Sequence, residues 1–91
     1  MLAENDKQTI ISLAKKFNVQ AVFLFGSSIE GIEANDIDIA VRGIKPKDFF
    51  DFYGKLLRFL SKPVDVVNLS NTSHFTKTIE QTGIKIYEQL A

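Results

Sequence analysis

Three acids and one small turn carry the residue types that could do chemistry in this chain. Asp36 and Asp38 interrupt an otherwise apolar run, Asp36-Ile37-Asp38-Ile39-Ala40-Val41, and Asp65 interrupts another, Val64-Asp65-Val66-Val67. Residues two apart on a strand point to the same face, roughly 6.5–7 Å apart at about 3.3 Å per residue. Carboxylates held that close beside an apolar core repel each other and lose hydration, so they require protonation or a cation. Hard divalent ions take such oxygen ligands, and Mg²⁺ is held through one or two carboxylates plus substrate phosphates. Upstream, Gly26 and Ser27 end an apolar strand running from Ala21 to Phe25. A Gly-Ser turn there can bring backbone N–H groups and a hydroxyl to an anion. A carboxylate strand beside a phosphate-cradling turn suggests a nucleotide site.

The elements that must position these residues follow from the hydrophobic periodicity. Asn5 or Asp6 is suited to cap a first helix whose apolar stripe is Ile10, Ile11, Leu13, Ala14 and Phe17. Asn18 is a left-handed stop before the first strand. That strand is apolar on both faces, as a covered central strand is. The second strand, from Asp36 to Val41, has a period of two, with Ile37, Ile39 and Val41 opposite Asp36, Asp38 and Ala40. Pro46 suits the first position of a helix running to about Leu60, with a broad apolar arc that includes Phe49, Phe50, Phe52, Leu56 and Leu57. Pro63 ends it, and Val64 to Val67 form a third strand. A short helix from Ser73 to Gln81, with Phe75 and Ile79 inward, stops at Gly83, and Ile84, Ile86 and Tyr87 make a last strand. The order is α-β-β-α-β-α-β, an α/β arrangement with a small mixed sheet and helices on one or both faces. If the third strand lies beside the second, Asp65 completes a trio of acids around two cations, an arrangement that serves in-line displacement at phosphorus. An isolated Asp reads as a solvated strand end or a hydrogen-bonded turn residue; three of them behind a Gly-Ser turn read as a site.

The composition narrows the alternatives. The 91 residues make one domain without room for a second core. There is no cysteine, and with one histidine a His-based zinc centre is not expected. The N-terminus lacks a basic region followed by an apolar run, and no apolar stretch is long enough to span a membrane, so a cytoplasmic location is the default expectation. The formal net charge is zero, which argues against a nucleic-acid binder relying on phosphate contacts. Residues 1–40 nevertheless carry six acidic and three basic side chains, with Glu30, Glu33, Asp36 and Asp38 around the proposed site. His74, Tyr53 and Tyr87 read as surface or packing residues, and Arg42, Lys45 and Lys47 as solvated surface.

The run Gly26-Ser27, then Gly31, then Asp36-Ile37-Asp38 resembles the signature of the minimal nucleotidyltransferases of the polymerase-β-like superfamily. The likeness extends to Lys62-Pro63-Val64-Asp65-Val66-Val67 and to Gly83-Ile84-Lys85-Ile86-Tyr87-Glu88. It implies that Asp36 and Asp38 share two Mg²⁺ ions, and that Asp65 holds the catalytic one and accepts the proton of an attacking hydroxyl. It also implies that Gly26 and Ser27 hold the triphosphate of ATP or another NTP. Such domains resemble the antitoxin halves of toxin–antitoxin pairs whose partner is a HEPN-type RNase. The implied reaction moves AMP onto a tyrosine hydroxyl of that partner. Ser28-Ile29-Glu30 stands where many relatives carry arginines, and a carboxylate there weakens short-range attraction for a polyanion. That departure leaves an alternative: a binding module of the same fold that neutralises its partner by occlusion.

Overall fold

The structure, a computed structural model, describes residues 2–26 and 36–90. The elements follow the expected order: α1 (Glu4–Lys16), β1 (Ala21–Leu24), β2 (Ile37–Arg42), α2 (Pro46–Phe59), β3 (Val64–Asn68), α3 (His74–Thr82) and β4 (Ile84–Glu88). The strands form one sheet in the order β3-β2-β1-β4. β1 pairs antiparallel with both β2 and β4, whereas β2 and β3 are parallel. A parallel pair needs a crossover, and α2 supplies it.

The rear face of the sheet is the main core. α1 contributes Ile10, Leu13 and Ala14, α2 contributes Phe52 and Leu56, and both helices close over Val22, Leu24, Ile37, Ile39 and Val41. Phe17 meets Phe52 edge to face at 5.7 Å between ring centroids. The front face is thinner: Ala21, Phe23 and Ala40 pack with Leu69 and with Ile79 from α3. This division explains the apolar first strand, since β1 is buried along its whole length.

Several local expectations are revised. Neither Asn5 nor Asp6 caps α1, which begins at Glu4 behind Ala3 without a side-chain cap. Asp6 is instead a buried tie, its carboxylate accepting from the Ser61 N–H at 3.0 Å and the Ser61 hydroxyl at 2.5 Å. A carboxylate in the first turn of a helix also suits the helix dipole, so the residue type was legible but its distant partner was not. In α3 the cap is Ser73, which accepts from the Thr76 N–H while the Thr76 hydroxyl accepts from the Ser73 N–H. Of its two apolar residues Ile79 is buried, but Phe75 is 56% exposed, contrary to the inward assignment. The arc of α2 is likewise only half used: Phe52 and Leu56 are buried while Phe50, Leu57 and Phe59 face solvent. Asn18 does stop α1 in the left-handed region, at φ 58°. Among the described residues no helix is long and apolar enough to cross a membrane.

Candidate active site

Each acid is positioned by the sheet. In the parallel β2–β3 pair, Asp38 is directly opposite Asp65. Partnered residues on adjacent strands share a face, and the strands lie about 4.8 Å apart. Asp36 precedes β2 by one residue, and the period of two carries it to the face of Asp38 and Ala40. That is the front face, since Ala40 packs there with Phe23 and Ile79. Ile37, Ile39 and Val64 alternate into the rear core and hold the register. The third strand does lie beside the second, the condition on which the sequence reading depended, and the register sets Asp38 opposite Asp65. Asp36 and Asp65 are exposed and Asp38 is partly buried between them.

Crowding leaves an electrostatic mark on the central acid. Burial first, then the Asp65 and Asp36 carboxylates, push the Asp38 carboxyl above its ordinary range. Among the described residues no three His, Asp or Glu side chains are drawn together tightly enough to cage one ion. The backbone nevertheless sets Asp38 opposite Asp65 across the β2–β3 pair. The donor set therefore fits a hard divalent ion: oxygen-only, short-armed, and destabilised by its own charge until a cation is added.

The turn after β1 is built against the same acid. The Phe25 N–H donates to the Asp38 carbonyl at 3.1 Å, extending the β1–β2 pairing by one residue. Gly26 then takes φ +64°, and a Cβ at that position would stand 2.7 Å from Asp38 Oδ2. Glycine suits the turn in two ways, allowing the left-handed backbone and leaving the Asp38 carboxylate room to lie against it. Ser27, and with it Glu30 and Gly31, lies outside the described residues.

Other polar residues are placed without joining the trio. Arg42 lies on the front face at the opposite end of β2, 3.5 Å from Glu80 and 3.8 Å from Glu88, with its guanidinium over the Phe23 ring. It is a structural ion pair rather than the solvated residue expected. Tyr53 packs beside the core and its hydroxyl donates to the Val64 carbonyl, one residue before Asp65. His74 begins α3 as an exposed residue, as expected. One feature was not anticipated. Phe75, at the start of α3, lies edge to face with Phe25 at 6.0 Å between centroids. The exposed ring of Phe75 therefore borders the Gly26–Asp38 end of the front face.

Among the described residues a mixed four-stranded sheet with three helices forms the nucleotidyltransferase fold, and the paired acids with the glycine turn form its candidate site. Residues 8–90 match the family model described as polymerase beta, nucleotidyltransferase, and the chain belongs to that family. Among curated proteins no sequence matches it. Several solved structures are similar. A toxin–antitoxin complex with AMP-PNP is 27% identical, with TM-score 0.74 over 91% of this chain and 73% of that one. A mutant MntA–HepT toxin–antitoxin complex is 28% identical, with TM-score 0.74 over 98% and 75% of the two chains. A complex of the tri-AMPylated Shewanella oneidensis HEPN toxin with its MNT antitoxin is 26% identical, with TM-score 0.70 over 92% and 71%.

Proposed function

We propose that this chain is the antitoxin of a toxin–antitoxin pair and transfers AMP from ATP to a tyrosine hydroxyl of a HEPN-type RNase partner. The observation that carries the reading is the Asp38–Asp65 register, with the Gly26 turn closed against Asp38. Similarity to toxin–antitoxin structures, one with AMP-PNP and one with an AMPylated toxin, supports the substrate and the partner.

Asp36, Asp38 and Asp65 would hold two Mg²⁺ ions, which supply charge neutralisation at the α-phosphate and lower the pKa of the attacking group. Gly26, with Ser27, holds the triphosphate by backbone N–H groups and a hydroxyl. Asp65 is exposed, so a hydroxyl carried by another protein can reach it, and its carboxylate takes the proton as the acceptor oxygen bonds to the α-phosphorus. The bond from that phosphorus to the bridging oxygen breaks and pyrophosphate leaves. A cytoplasmic site of action follows from an ATP substrate and an RNase partner.

The test is to co-express the chain with a HEPN-type RNase partner and weigh both proteins intact. Addition of whole AMP units to the partner is expected with the wild type and not with Asp36→Asn/Asp38→Asn. The exposed Phe50 and Leu57 of α2 favour a second reading, in which a protein-binding surface neutralises the partner without transfer. An unmodified but neutralised partner would select it.

A further inference from the structure

The front face offers an aromatic residue that neither the fold nor the acids require. Phe75 is 56% exposed although it sits in the first turn of a capped helix, where a polar residue would serve equally well. It is fixed by its edge-to-face contact with Phe25, whose ring centroid is 6.0 Å away at an interplanar angle of 85°. Phe25 in turn donates its N–H to the Asp38 carbonyl and directly precedes the Gly26 turn. From the central acid to the exposed ring there is thus a single intervening side chain.

We infer that Phe75 is the stacking platform for the base of the bound nucleotide, with Phe25 as the strut that holds its ring in place. This rests on the nucleotide-binding reading above and extends it to the base. A purine has two apolar faces and needs a flat partner, and an aromatic ring supplies one without regard to the identity of the base. A nucleotide whose phosphates lie at Gly26 and the acids has its base one ribose away, and among the described residues Phe75 is the exposed aromatic ring linked to that turn, through its contact with Phe25. Phe50 and Phe59 are also exposed but belong to α2, behind the sheet. Phe75 is 56% exposed and lies outside both core clusters, so stacking on it needs no rearrangement of the core. Stacking of this kind discriminates weakly among bases, so ATP and GTP are both accepted by the ring itself.

The experiment measures binding of ATP and of inorganic tripolyphosphate, each with Mg²⁺, to the full chain by titration calorimetry. Phe75→Ala is expected to weaken ATP roughly five- to hundredfold, the range found for alanine at stacking platforms, and to leave tripolyphosphate within twofold. Phe75→Trp is expected to retain ATP binding. A melting temperature close to wild type confirms that the exposed ring is not a core residue. Equal weakening of both ligands, or no change in either, overturns the inference while leaving the nucleotide reading in place. Unchanged ATP binding with weakened association of the HEPN-type partner also overturns it, and assigns the ring to a protein contact. If wild-type protein binds neither ligand, the nucleotide reading itself falls, and this inference with it.

Discussion

Replacing Gly26 with alanine tests how closely the turn and the central acid depend on each other. Two costs are separable. A non-glycine residue at φ +64° carries roughly 1–2 kcal/mol of left-handed backbone strain. The new Cβ would also meet Asp38 Oδ2 at 2.7 Å, well inside contact distance. Because that oxygen ends a short rotatable side chain, the clash is relieved by swinging the carboxylate aside rather than by moving the strand. Stability should therefore fall by the backbone term alone, a drop of about 4–15 °C in melting temperature for a domain of this size. Nucleotide binding should suffer more. Withdrawing one charged ligand of about 1.5–3 kcal/mol weakens Mg²⁺–ATP by roughly ten- to hundredfold. Calorimetry on Gly26→Ala, Asp38→Asn and the double variant gives the decisive comparison. If both act through the same carboxylate, the double variant binds about as weakly as the worse single one. Additive losses, or a Gly26→Ala protein that melts early yet binds Mg²⁺–ATP as wild type does, would refute the coupling.

Other perturbations probe the remaining features. The raised Asp38 carboxyl makes its ionised form costly to the fold; that cost is complete above the raised pKa and vanishes below the ordinary value of 3.8. In metal-free buffer at pH 7, Asp38→Asn should thus raise stability, by removing first the burial of that charge and then its repulsion by Asp65 and Asp36. Thermal melts should show this gain shrinking toward pH 4, and a constant gain would disprove it. Asp6→Ala removes both acceptors of Ser61 from a buried position and should cost about 2–4 kcal/mol in urea unfolding, with Mg²⁺–ATP affinity unchanged. Gly83→Ala should destabilise by roughly 1–3 kcal/mol despite an ordinary φ of −71°, because its Cβ would meet backbone oxygens of Ile79 and Leu24 at 2.6 and 2.8 Å. Chemical denaturation of the variant measures this directly.

What the sequence disclosed follows the reach of each signal. The element order and the alternation of β2 were readable because periodicity is local, and Pro46 and Asn18 marked their boundaries through backbone geometry. The meeting of Asp38 with Asp65 was readable only as a condition, since pairing depends on the crossover by α2. The tie between Asp6 and Ser61 was invisible for the same reason: the partners are far apart in the chain, and an Asp near a helix start already has a local explanation. Phe75 was misassigned because apolar character at helical spacing predicts burial, and α3 covers too little of the front face to bury it. Arg42 carried no local sign of its pairing with Glu80 and Glu88, which arrive from α3 and β4.

The single parallel pairing in the sheet has a consequence for how the chain reaches its native state. Asp38 and Asp65 belong to strands separated by the α2 crossover, so their mutual repulsion opposes a long-range pairing. Divalent ions in the surrounding solution should ease that closure. A cation would then act on this protein as a folding aid before any nucleotide arrives.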